Sequence, residues 1–223
     1  MKCLKIIIII CFTLILLNVN AQTDKSLKIG FFVAPGFARL NGNEILNKNT
    51  KAIFSYSTGV SFLVYLKENI SLYGAVSYEK KGYVYPNLSV EQNGIIYDNV
   101  KIFSGFNYMT LPILLRSSIG KKRNFFIAVG PYLGYLLSHN IKVVGSSINN
   151  SSNNTDGFKK IDIGLTNSIG VDFPINKRKS FSMELRNNIG LKNISKIGVV
   201  NDGKIKTNSL NLILSYNITA SKK

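Results

Sequence analysis

Seven ionisable side chains stand where the surrounding sequence is otherwise apolar or small. Glu79, Lys81, Arg116, Asp162, Asp172, Glu184 and Arg186 interrupt runs of Ile, Val, Leu, Phe, Tyr, Gly and Ser. Set inside a protein, such a mixture of signs can do one of two things. It can line a selective pore or gate, or its members can pair and satisfy one another in a packed polar interior. Residues suited to covalent or metal chemistry are scarcer. His139 is the single histidine, which argues against a zinc centre. It closes an apolar stretch and reads as a loop-edge residue. Ser138 precedes it, but neighbouring strand residues face opposite sides, so the two cannot act as nucleophile and base. Cys3 and Cys11 are the only cysteines, and both fall in a segment expected to be removed. No catalytic, cofactor-binding or metal-binding residue is therefore assigned, and neither a cofactor nor an enzyme activity is expected.

That removable segment is residues 1–21. Met1-Lys2-Cys3-Leu4-Lys5 is a short basic start, Ile6 to Leu17 an apolar run, and Val19-Asn20-Ala21 a small-residue cleavage site before Gln22. This is the pattern of a secretory signal peptide. The apolar run is too short for a spanning helix, which needs about 20 residues. A lipid anchor at Cys11 is disfavoured by the isoleucines before it. Residues 22–223 then form one domain. The full sequence carries 28 basic and 11 acidic residues, a formal charge of +17. Loss of Lys2 and Lys5 leaves 26 basic residues and +15. A nucleic-acid partner is disfavoured by the export signal and by the lack of a reading motif.

The elements that must position the seven charges are strands. After Ala21 no long apolar run and no convincing helical period occurs; what recurs is alternation of period two. It predicts strands over residues 27–38, 52–66, 70–83, 101–118, 125–138, 160–173, 180–191 and 206–218. Between them, connections alternate long and short. Residues 85–100 are expected to be a loop, as are the polar residues 139–157, whose Ser/Asn-rich centre is low in complexity. Eight strands, mostly 10 to 16 residues long, exceed the five or six residues common in soluble sheets and suit tilted membrane-crossing strands. An even number of strands, with long loops at one end and tight turns at the other, is the layout of an outer-membrane barrel. The fold class is thus all-β, an eight-stranded antiparallel up-and-down transmembrane barrel.

One strand's alternation does not say which parity faces inward. Composition does. The polar parity is dominated by Gly and Ser rather than by Lys and Glu, which suits a cramped lumen rather than a water-facing surface. The seven charges share that parity, so ion pairs inside the lumen are expected, with a plugged interior favoured over a pore. Lys67, Lys121-Lys122-Arg123, Lys177-Arg178-Lys179 and Lys222-Lys223 gather at the short-turn, periplasmic end. They read as solvated turns, with contact to headgroups or an anionic partner as the second reading.

Several stretches resemble one family. Tyr108-Met109-Thr110-Leu111-Pro112-Ile113-Leu114-Leu115-Arg116 resembles a strand of the PorT-like outer-membrane β-barrel proteins common in Bacteroidetes, barrels of the OmpA/OmpX type. Gly130 to Ser138, Tyr78 to Gly82, Asp162 to Leu165 with Ile169 to Val171, and Leu210 to Tyr216 resemble neighbouring parts. The resemblance implies an architecture and an outer-membrane location rather than an activity. Two departures stand out. Thr110 occupies a place usually held by Glu, and seven residues follow Tyr216, where such barrels often end on an aromatic. Pro112 lacks an N–H, so a bulge or kink is expected there, with Arg116 entering the lumen near the short-turn end.

The expected role is a structural, adhesive or assembly one, exerted through extracellular loops without catalysis. A small-solute channel is the alternative, and a secreted lipocalin-like carrier or a membrane enzyme less so. Expected partners are outer-membrane lipid and periplasmic or surface proteins; a monomer is expected.

Overall fold

The computed structural model describes residues 27–92, 95–120, 124–145, 149–199 and 203–220. The expected signal peptide, Lys121-Lys122-Arg123 and Lys222-Lys223 lie outside the described residues. Strands β1 (Leu27–Asn41), β2 (Ile53–Tyr65), β3 (Ile70–Gln92), β4 (Ile95–Ile119) and β5 (Phe125–Val144) follow one another as antiparallel neighbours. A short strand β6 (Asn149–Asn153) folds back on the end of β5. β7 (Ile161–Pro174), β8 (Lys179–Gly190) and β9 (Lys206–Ala220) continue the meander, β7 pairing with β5. β9 pairs with β1 along its whole length, from Leu27↔Ala220 to Asn41↔Lys206. Eight strands thus close into a ring with no free edge, and β6 stands outside it.

Sidedness follows the alternation. Phe31, Val33 and Phe37 of β1 are exposed on the outer wall while Phe32, Ala34 and Ala38 are buried inside. On β4, Met109, Leu111, Ile113 and Leu115 face out, and Tyr108, Thr110, Leu114 and Arg116 face in. An apolar exterior around a polar interior is the arrangement of a membrane barrel and the reverse of a soluble carrier.

The long connections are more ordered than loops. Between β1 and β2 lies a short helix, α1 (Glu44–Asn49), capped by Asn43, whose side chain accepts from the Ile45 N–H at 2.8 Å. The expected loop 85–100 is instead the top of the β3–β4 hairpin. Its strands slip register between Tyr85 and Leu88 and again between Leu88 and Val90, with Asn87 and Asn99 at positive φ. Likewise, 139–157 is not one loop: β5 runs on to Val144 and pairs with β6. Its centre, residues 146–148, lies outside the described residues.

The bulge expected at Pro112 is absent. Pro112 pairs with Tyr132 of β5 in unbroken register. Towards β3 the ladder lapses between Ile113↔Gly74 and Thr110↔Ser77 but resumes in the same register. A missing N–H costs a ladder bond without displacing the strand, because inward and outward neighbours on both sides pin the alternation. The one-residue slip of β4 against β5 falls instead at Asn107/Tyr108, which pair with Ser138 and Leu136 and leave Leu137 extra.

Candidate functional site

The site to be weighed is the lumen, since the barrel brings all seven charges there. Each strand contributes alternate residues, so charges two apart in sequence, such as Glu79 and Lys81, project inward one above the other. Lys81 is completely buried at the centre of the upper cluster. Its Nζ lies 3.7 Å from Glu79 Oε2 and 3.6 Å from Asp162 Oδ2. It also donates to Tyr132 Oη and Thr207 Oγ1, each at 3.3 Å, and sits 4.5 Å from the Tyr132 ring centre.

The anions of this cluster are satisfied in turn. Glu79 accepts from Asn188 Nδ2 at 3.1 Å, Ser209 Oγ at 2.6 Å and Asn211 Nδ2 at 2.9 Å. Asp162 Oδ2 accepts from Tyr132 at 3.0 Å and Thr207 at 2.6 Å. Five strands thereby meet around one ammonium. The short side chains make room for this: a Cβ at Gly164 would stand 2.3 Å from the Tyr132 ring.

Two further pairs lie nearer the short-turn end. Arg186 Nε donates to Glu184 Oε1 at 2.7 Å, its guanidinium 4.8 Å from the Tyr73 ring centre. Arg116 pairs with Asp172 and lies 3.5 Å from the Phe126 ring centre. Arg116 enters where the sequence places it. Thr110, standing where Glu is usual, bonds Ser77 Oγ at 2.7 Å, a hydroxyl pair in place of a charge.

Sequence alternation missed how much of the interior is apolar. Leu40, Leu46, Phe106, Tyr108, Leu136 and Ile194 form a buried cluster at the mouth of the barrel. Leu46 comes from α1, so that helix stoppers the lumen from above. A second cluster includes Phe32, Leu63, Tyr73 and Leu114. Inward-facing Phe32, Phe106 and Phe126 carried a signal in their parity, but a rule equating small and polar with inside discards it.

His139 is not at a strand end. It is buried within β5, stacked on Phe106 with ring centres 4.2 Å apart and held by Ser104 Oγ at 2.7 Å from Nε2. Its Nδ1 faces the Asn154 carbonyl, at 3.4 Å. Ser138 points the other way and accepts from Asn107 Nδ2 at 2.8 Å. The imidazole packs the stopper, and among the described residues no carboxylate is bonded to it. Among the described residues no group of His, Cys, Asp and Glu could hold a metal ion.

Between the two layers of charge remains a void of about 10 Å³, lined by residues that include Thr110, Pro112, Tyr132 and Arg186. That is room for roughly one water. Among the described residues the interior between these layers is closely packed and polar.

The family model for the outer membrane protein beta-barrel domain matches residues 20–196. The chain belongs to that family. It is accordingly a protein of the bacterial outer membrane. No curated protein sequence matches it significantly. Among solved structures, it is similar to the attachment invasion locus protein Ail of Yersinia pestis in complex with the heparin analogue sucrose octasulfate. Identity is 10%, coverage 88% of this chain and 100% of that one, and the TM-score 0.44. Neisserial surface protein A is 15% identical over 85% of this chain and 96% of that one, at a TM-score of 0.41. OprG of Pseudomonas aeruginosa is 12% identical over 90% and 98%, at 0.40. Likenesses this distant carry no functional information.

Proposed function

We propose that the protein is a closed outer-membrane barrel with a structural, adhesive or assembly role, exerted through its extracellular elements and without catalysis. The observation that carries this reading is the filled lumen: a buried ion-pair network below an apolar stopper, with space for about one water between the charged layers. The tall β3–β4 and β5–β6 hairpins, rising from the long-connection end, are the surfaces left to meet a partner. A periplasmic or surface protein is the proposed partner class, outer-membrane lipid the proposed surround, and a monomer the proposed state; nucleic acid has no part.

Within the family we assign the chain to the PorT-like barrels of Bacteroidetes, on the stretch Tyr108 to Arg116 and its pairing with Gly130 to Ser138. The runner-up, a small-solute channel, draws on the charged lumen. Planar-bilayer recording of the refolded chain separates the two: the closed reading expects no steady openings. Sustained conductance that falls when lumen residues are enlarged would establish the channel instead.

A further inference from the structure

Above the apolar belt the outer wall of the barrel is notched. On β3 and β4, Gly82 pairs with Gly105, and Gly105 pairs in turn with Asn140 of β5. With no side chain at Gly105, a cleft of about 640 Å³ opens on the exterior face. Its aromatic lining comes from Phe54, Tyr56, Tyr78 and Phe103: Tyr78 stands below Lys80 on β3, Tyr56 pairs with Lys80, and Phe103 pairs with Lys142. Phe54 and Tyr56 are exposed on the membrane side, and the Tyr56 and Tyr78 rings lie 6.0 Å apart. Its polar lining is Lys80 opposite Asn107, Asn140 opposite Gly105, and Lys142 above them. The Lys80 stem crosses the notch, its Cε 3.7 Å from where a Gly105 Cβ would stand.

Three features point to one occupant. First, neither ammonium has a carboxylate within ion-pair distance among the described residues, and no acidic side chain lines the cleft. Second, the cleft lies where outward residues change from Met109 and Tyr135 to Asn107 and Asn140, which is the membrane–water boundary at the long-connection end. Third, both lysines stand above Tyr78 towards the long-connection end, with Tyr56 level with Lys80, so cations flank the notch and aromatic rings lead down from it, matching a molecule with a phosphate head and acyl tails. We propose that this cleft seats a phosphorylated lipid of the outer leaflet. Lys80 and Lys142 grip the phosphate, the two asparagines supply further polar contacts, and the tails run down over Tyr56 and Tyr78 into the bilayer.

The test is native mass spectrometry of the full mature barrel in detergent, titrated with bisphosphorylated lipid A, its dephosphorylated form and inorganic phosphate. Wild type is expected to hold the bisphosphorylated lipid about tenfold more tightly than the dephosphorylated one, as charge-assisted contacts require. Lys80→Gln/Lys142→Gln should abolish that preference. Gly105→Leu fills the notch with both charges kept and should also weaken binding, about tenfold. Lys177→Gln/Lys179→Gln at the opposite rim should leave it unchanged, and unboiled gels confirm that each variant is folded. Equal binding of both lipids, or a preference that survives loss of the lysines, overturns the proposal. Inorganic phosphate binding as tightly as the lipid, with the same lysine dependence, overturns it too, since the aromatic lining then contributes nothing.

Discussion

Removing the Lys81 ammonium tests the closed lumen most directly. Lys81→Met keeps an unbranched stem of similar length but leaves Glu79 and Asp162 without a cation, in a layer that is already one negative charge in excess. Glu79 retains its three neutral donors from Asn188, Ser209 and Asn211. Asp162 is worse placed, since its Oδ1 has no hydrogen-bond partner among the described residues. Breaking a buried ion pair by removing one member costs roughly 3–5 kcal/mol, against about 0–1 kcal/mol for an exposed pair. Complete burial of Lys81 puts it in the first range. The refolded barrel would be titrated with guanidinium and its folded fraction read from heat-modifiable migration on gels. Lys81→Met should lose about 3 kcal/mol or more. Lys81→Met/Glu79→Gln/Asp162→Asn removes all three charges together and should regain most of that loss, because replacing a whole buried network is often close to neutral. A single variant within about 1 kcal/mol of wild type would refute the reasoning: the network would then be screened by water, and the lumen open.

Ile113→Arg sets a charge at mid-height on the outer wall and should cost roughly 2–4 kcal/mol in bilayers, read by the same titration in vesicles; no loss would argue against lipid contact. Gly164→Ala drives a methyl into the Tyr132 ring, 2.3 Å away, and should destabilise by about 1–3 kcal/mol, with the folded band reduced on unboiled gels. Leu46→Asp places a charge in the apolar stopper. It should loosen α1 without unfolding the barrel, seen as faster amide exchange for Leu40 and Phe106 and unchanged exchange for Ile213.

The ring and its lumen charges were legible because burial on one side and lipid on the other impose strict alternation on every spanning residue. Asp162, Thr166 and Ser168 could only face in once Ile163, Leu165 and Ile169 faced out. Above the membrane that constraint lapses. The top of β3 and β4 sets buried Val100 and half-buried Tyr85 beside exposed Asn87, Asp98 and Asn99, so Tyr85 to Val100 shows no clean period and reads as a loop, although backbone pairing continues through two register slips. β6 is a run of Asn and Ser that pairs with the end of β5, and nothing in its side chains announces a strand. Pro112 misleads in the opposite sense. Its missing N–H is a local loss, whereas register is held by many pairs on either side, among them Thr110 on Ser77 and Arg116 opposite Ser71 and Ala128. The stopper was hidden for another reason: it joins Leu46, Phe106 and Ile194, and no local pattern reports contacts among residues so far apart in sequence.

A lumen filled in this way constrains where function can reside. Exchange of a lumen side chain disturbs a network tying together β3, β5, β7, β8 and β9, so the interior is poorly suited to adapt to a ligand. The outer wall at mid-height must stay apolar. Two regions escape both demands: the hairpins above the membrane, and the rim where Gly105 opens the notch between Lys80 and Lys142. The same backbone builds both, since β3, β4 and β5 run past the apolar belt as 23, 25 and 20 residues. A lipid held at the rim would brace the base of those hairpins, so their orientation towards a surface partner would depend on the leaflet around them. Lys80→Gln/Lys142→Gln should then raise amide exchange in Lys101 to Phe103 and Ile141 to Val143 in lipid A-containing bilayers, and not in bilayers of uncharged lipid; equal exchange in both would separate the hairpins from the lipid beneath them.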